Sequence, residues 1–262
     1  MKVAFWNGIS ASDSVAKYVA AVGMMLAFEY NCNVVLSSNY ISNRMMQDCF
    51  SRRILEEGIA HTPYCYLYGS PEYHGALWSM KRNRQGDILE MPMKRMTIIY
   101  PPDVAENSMF YYKAATKDFY MLDMAKSSIA ESKNVLEEAD LVIVFLSKNE
   151  TEIQNFFERF SSLTPKTLFV IMDYQQDVEH TCRKFKAAYG IKQNDIGIIL
   201  YNNEFEKASE EGNLAKFVLQ NIQGTLENPN YNFILSLRKV SKKIYMKGIN
   251  FYAKEQKDDE KI

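Results

Sequence analysis

The sequence predicts an α/β fold: a doubly wound, mostly parallel twisted sheet with helices on both faces. Two observations carry this. Several short runs are apolar without interruption, above all LVIVFL at 141–146, TLFVIM at 167–172 and IGIIL at 196–200. A strand with no polar alternation is covered on both faces, as the strands of a parallel sheet are. Helical periodicity fills the intervals between these runs, and strands alternating with helices under the right-handed crossover rule give a sheet sandwiched between helical layers.

The elements follow in order. VAFW at 3–6 reads as the first strand, and residues 14–30 as a helix, with Val15, Tyr18, Val19, Val22, Met25, Leu26 and Tyr30 at helical spacing. A second strand is expected at 34–36 and a helix at 43–57. Residues 119–122 form a strand ending in Asp123, and 129–138 a short helix. Helices at 151–161 and 178–189 separate the last three strands. Residues 64–102, rich in Tyr, Met, Pro and basic side chains, break the alternation. There 87–91 and 95–100 are expected to pair as a β-hairpin, and the region reads as an insertion or interaction surface within one domain spanning 1–250. A C-terminal helix is expected at 231–252, and 251–262 reads as a charged, flexible tail.

Composition bounds the function. The chain has 262 residues, 31 Lys plus Arg and 32 Asp plus Glu, for a formal net charge of -1. That balance argues against a non-specific nucleic-acid binder. With 47% hydrophobic residues the chain can bury a sizeable core. No apolar run approaches the roughly 18 residues of a membrane span, and the apolar start at 1–6 is too short for a signal peptide. A cytoplasmic location is expected. Cys32, Cys49, Cys65 and Cys182 form no CxxC pair, and His61, His74 and His180 are scattered, so no metal-binding spacing is present. Neither a Ser-His-Asp nor a Cys-His arrangement is readable, which leaves hydrolase mechanisms without support.

In a doubly wound fold the functional sites lie outside the carboxyl ends of the strands. The first such loop reads Asn7-Gly8-Ile9-Ser10-Ala11-Ser12-Asp13-Ser14-Val15-Ala16-Lys17. A strand, a loop of small residues and a helix is the frame of a phosphate-binding loop, in which backbone N–H groups and the helix dipole meet the anion. This frame, with VAFWNG at the start, FYMLD ending at Asp123, VLEEADLVIVFLSKNETEIQNFF after it and YGIKQNDIGIILYNNEF late in the chain, resembles the ParA/MinD group of P-loop ATPases. It is most similar to the atypical, TadZ-like members. The resemblance runs from Met1 to about Lys247 and is weakest over 64–112.

The departures from the family pattern shape the functional expectation. Laid on KGGxGKT without gaps, the family's signature lysine falls on Ser10, its first glycine on Ala11, its last glycine on Ser14, the phosphate-binding lysine on Val15 and the Mg²⁺-binding hydroxyl on Ala16. Ser12 and Asp13 complete the loop, and Asp13 adds a negative charge beside the phosphate position. Val15 lacks the cation that neutralises β/γ-phosphates, and Ala16 lacks a metal ligand. Lys17 lies two positions further along the helix and faces elsewhere. Where the family's next strand ends in Asp, this chain has Ser37-Ser38-Asn39.

The resemblance therefore implies a vestigial or atypical nucleotide site made of Gly8, Ser10, Ala11, Ser12, Asp13, Ser14, Val15, Ala16, Asp123 and Asn202. Asn202 falls where the family contacts adenine, although asparagine after a strand is also an ordinary turn residue. The expected function is a non-catalytic binding, localisation or scaffolding component of a bacterial assembly, dimeric, with protein partners and no cofactor. The alternatives are a slow ATP- and Mg²⁺-dependent dimerising switch and a membrane- or DNA-associated adaptor. The adaptor would use the basic stretch from Lys81 to Arg95 or the basic face of the C-terminal helix, with Arg238, Lys239, Lys242, Lys243 and Lys247. The other reading of that helix is an apolar stripe packed on the sheet with solvated lysines.

Overall fold

A computed structural model of the chain describes residues 1–7, 15–30, 32, 34–38, 78–82, 88–92, 96–99, 119–124, 129–146, 150–174 and 178–259. The expected helix at 43–57 lies outside these residues. The first strand, β1, is Lys2–Trp6, followed by α1 at Ala16–Glu29 and β2 at Val34–Ser38. Three short strands come next: β3 at Trp78–Arg82, β4 at Ile88–Pro92 and β5 at Met96–Ile99. Then come β6 at Phe119–Asp123, α2 at Ile129–Glu138, β7 at Leu141–Leu146, α3 at Glu150–Phe160, β8 at Thr167–Tyr174, α4 at Val178–Tyr189 and β9 at Ile196–Leu200. The chain ends with α5 at Asn203–Glu210, α6 at Leu214–Asn221 and α7 at Tyr231–Asp259.

Seven strands form one sheet in the order β5-β2-β6-β1-β7-β8-β9. Every pairing within it is parallel, as the uninterrupted apolar runs require. From β1 the chain moves outward to β2, returns to β6 on the near side of β1, and then passes to β7 on the far side. The winding thus reverses beside β1, which makes the carboxyl end of β1 the switch point where this class of fold holds ligands.

The two faces separate by strand parity. Val3, Phe5, Leu141, Ile143 and Phe145 point to a core shared with α1, Phe205 of α5, Phe217 of α6 and Phe233, Leu237, Val240 and Ile244 of α7. Ala4, Trp6, Val142, Val144 and Leu146 point to the other core, with Val135 and Leu136 of α2, Phe156 and Phe160 of α3 and Phe185 of α4. The period-2 geometry of a strand makes this division automatic once both faces are covered.

Helix α1 is buried along nearly its whole length, from Ala16 to Ala27. A helix apolar on every side needs cover on every side, and α1 obtains it from the sheet below and from α6 and α7 around it. The C-terminal stripe Phe233, Leu237, Val240 and Ile244 is therefore a packing face. Close approach is built in at Gly197 of β9, where an added Cβ would lie 2.9 Å from Val240 Cγ2.

Three sequence expectations change. The pairing of 87–91 with 95–100 does not form. Instead β3 and β4 pair antiparallel, with Trp78 opposite Pro92 and Arg82 opposite Ile88, while β5 joins the main sheet parallel to β2. Its mostly apolar run MTII suits a strand of a covered parallel sheet better than a two-stranded ribbon. The terminal helix continues past the expected Tyr252 to Asp259. Helices α5 and α6, each of 8 residues, were not anticipated as separate elements.

Candidate functional site

The carboxyl edge of the sheet brings together the end of β1, the end of β6 and the starts of α1 and α5. Gly8, Ser10, Ala11, Ser12, Asp13 and Ser14 lie outside the described residues. Asn7, the last described residue before them, is 7% exposed, and its Oδ1 has no hydrogen-bond partner among the described residues.

On the far side of the loop the chain resumes at Val15. Its carbonyl accepts from the N–H groups of Tyr18 and Val19 at 2.9 Å each, which opens α1. The helix begins without a side-chain cap and with no acidic residue in its first turn. Val15 is 2% exposed and Ala16 1%, and both belong to the core between α1 and the sheet. Both side chains serve packing.

Lys17 is 8% exposed. Its ammonium forms an ion pair with Glu206 Oε2 on α5 and lies 5.2 Å from the centroid of the Tyr18 ring. The Tyr18 hydroxyl donates to Glu206 Oε1 at 3.3 Å. Both oxygens of Glu206 are therefore engaged by the first turn of α1. The sequence indicated that Lys17 faces away from the phosphate position but gave no hint of Glu206. The signal available was weak: acidic residues Glu204 and Glu206 in the first turn of a helix, where the dipole favours them.

Asp123 ends β6, and in the sheet it lies beside Phe5 of β1 on one side and Ser38 of β2 on the other. It is 0% exposed. A carboxylate is thus held at the level where β1 gives way to its loop. Ser37 and Ser38 are the last residues of β2, so no carboxylate from that strand joins it.

Asn202 is the N-cap of α5. Its Oδ1 accepts from the Phe205 N–H at 2.8 Å, and its Nδ2 donates to Asn230 Oδ1 at 2.7 Å. Asn230 in turn donates through Nδ2 to Glu204 Oε2 at 2.6 Å and to Asn221 Oδ1 at 3.2 Å. Its N–H donates to Asn228 Oδ1 at 2.7 Å. The loop between α6 and α7 is thereby tied to the start of α5.

The basic face of α7 divides sharply. Arg238 donates through Nε to Glu29 Oε1 at 2.5 Å and through Nη2 to the Ile222 carbonyl at 2.8 Å. Lys247 pairs with Asp195 at 2.7 Å, and Lys243 donates to the Gln193 and Asn194 carbonyls at 3.1 Å each. Burial pushes the Lys243 ammonium below the usual lysine pKa, while Asp195 pulls it back. Lys239 and Lys242 are exposed. Of the basic stretch from Lys81 to Arg95, Lys81 and Arg82 lie on β3, and Lys94 and Arg95 lie outside the described residues. Among the described residues no helix is long and apolar enough to cross a membrane.

Sheet order, two-faced winding and a switch point at β1 define the class: this is the α/β fold of the ParA and MinD P-loop ATPases. Three solved structures make the likeness concrete. ParA of pNOB8, solved bound to nonspecific DNA, superposes with a TM-score of 0.63 at 9% identity, over 95% of this chain and 99% of that one. The cell-division ATPase MinD of Pyrococcus furiosus gives 0.60 at 8% identity, over 94% and 98%. The MinC:MinD cell-division complex of Aquifex aeolicus gives 0.58 at 11% identity, over 94% and 96%. No family model matches the sequence. No curated protein matches it either. At such identities the likeness concerns the fold alone.

Positions 15–17 present two buried apolar side chains and a lysine paired with Glu206.

Proposed function

We propose that this protein is a ParA/MinD-fold component with a degenerate nucleotide site, and that it works by binding, localising or scaffolding other proteins in a bacterial assembly rather than by hydrolysing ATP. The observation that carries the proposal is the burial of Val15 and Ala16 in the core, at positions where an ATPase of this fold needs Lys and Ser or Thr. A TadZ-like role, a cytoplasmic location and a homodimer formed without nucleotide belong to the same reading. The MinD neighbour is complexed with MinC, which supports a protein partner as the kind of ligand the fold accommodates.

Calorimetric titration with Mg-ATP is the decisive measurement. No heat of binding is expected at micromolar nucleotide; micromolar affinity overturns the proposal. Sedimentation should give the same oligomeric state with and without Mg-ATP.

One observation favours a second reading, a slow ATP-dependent switch: Asp123 is retained and held beside the end of β1. Turnover above a mock preparation that is abolished in Asp123→Ala would establish it. The adaptor reading has less support. Arg238, Lys243 and Lys247 are engaged within the protein, and the apolar stripe of α7 is buried. Lys239 and Lys242, the exposed lysines among the described side chains of α7, contribute only ~2 kcal/mol toward an anionic surface.

A further inference from the structure

Two lysines share one kind of surroundings: each donates to a pair of backbone carbonyls. Lys166 donates to those of Glu137 and Ala139, at 2.8 and 2.6 Å. Lys243 donates to those of Gln193 and Asn194, at 3.1 Å each. Burial pushes both ammonium groups below the usual lysine pKa. What stands beside them differs. Lys166 meets the carboxyl end of α2, where the helix dipole favours a cation, and Asp140 and Glu137 both pull its pKa back up. Lys243 ties α7 to the short turn Gln193–Asp195 that leads into β9. The carboxylate of that turn, Asp195, is taken by Lys247 at 2.7 Å, and the Lys247 charge itself works against a second cation. From α4 the neighbour is Cys182, whose thiol burial pushes up, so at neutral pH it offers no negative charge to hold an ammonium.

The acceptors around Lys243 suit an amine better than an ammonium. A neutral amine has two N–H bonds, one for each carbonyl, and a lone pair left over; an ammonium has a third donor to place. The two contacts lie at the protein surface, so a reagent can reach the nitrogen. We propose that Lys243 is an N-acylation site, taken by donors of the acyl phosphate class ahead of the exposed Lys239 and Lys242 on the same helix. The amine nitrogen attacks the acyl carbon. A C–N bond forms as the C–O bond to phosphorus-bound oxygen breaks, inorganic phosphate leaves with the electron pair, and the proton lost by nitrogen passes to water. The product amide is neutral and keeps one N–H, so one of the two carbonyls loses its donor and the tie between α7 and the start of β9 is weakened.

The test treats the full chain with acetyl phosphate at neutral pH and reads the initial rate at each lysine by peptide mass spectrometry. Lys243 should gain acetyl at least about threefold faster than Lys239 or Lys242. The lead should shrink as pH rises toward the ordinary lysine range, and it should vanish in urea, where the surroundings are lost. Lys247→Met leaves Asp195 free to pair with Lys243 and should bring its rate down to that of Lys239. Asp195→Asn removes the carboxylate and should leave Lys243 at least as reactive as in wild type, so a slowing caused by general disturbance of the turn is told apart from one caused by charge. Equal rates at the three lysines in wild type overturn the proposal. So does a lead that persists in urea, or one that is lost in Asp195→Asn and kept in Lys247→Met.

Discussion

At the start of α1 the chain closes the carboxyl edge with apolar side chains, burying Val15 and Ala16 against the sheet. At the start of α5, on the same edge, it closes with amides: Asn202 caps the helix and binds Asn230, which also holds Glu204 and Asn221. The Lys17–Glu206 pair joins the two. The contrast sets two ways of fixing a helix start side by side. An apolar closure excludes charge because any charge placed there is desolvated. A polar closure excludes ligands because its donors and acceptors are already paired, yet it keeps the groups that a ligand would use.

The largest effect should come from breaking the apolar end. Val15→Lys places an ammonium at a 2% exposed position, while the Glu206 carboxylate is already taken by Lys17. Destabilisation of roughly 3–5 kcal/mol is expected in urea unfolding, as for other unpaired buried charges. Unchanged stability together with new Mg-ATP binding would mean that the closure at Val15 opens readily, and the contrast between the two ends would collapse.

The polar end should cost less to break. Asn230→Ala removes a buried amide that serves Asn202, Glu204 and Asn221 together. A loss of about 2 kcal/mol is expected from the partners left unsatisfied. Asn202→Ala removes the cap on Phe205 N–H and should cost about 1 kcal/mol. Because the two side chains bond each other, the double variant should lose less than the sum of the singles. Strict additivity in thermal or urea unfolding would show that the network does not act as a unit.

The same contrast explains what could be read from the sequence. The apolar side was legible: Val15 opens the helical apolar pattern of 14–30, and the runs 141–146, 167–172 and 196–200 declared a covered parallel sheet. Polar closure was not. Lys17 and Glu206 are separated by 189 positions, and no local pattern pairs them. Asn202 read equally as a turn residue or an adenine contact, and only the position of Asn230 places its amide in a network. The short helices α5 and α6 lack the length that makes helical periodicity visible. Between 78 and 99 the sequence pointed to a hairpin of 87–91 with 95–100, whereas β4 pairs with β3 and β5 with β2.

The smallest expected effects lie on α7, where adjacent residues repeat the contrast at the surface. Arg238 is engaged by Glu29 and the Ile222 carbonyl, whereas Lys239 next to it is exposed. Arg238→Ala should cost about 1 kcal/mol, a typical value for a partly exposed pair with an added hydrogen bond. Lys239→Ala and Lys242→Ala should each stay within about 0.5 kcal/mol of wild type. If these two lysines anchored the chain to a membrane, their removal would leave stability alone but abolish co-sedimentation with anionic vesicles at low salt. The expected result is no salt-dependent vesicle binding in either wild type or variant. The basic residues of α7 would then act mainly inward, fastening the helix to Glu29, Ile222 and Asp195, with their positive charge spent on holding the fold together.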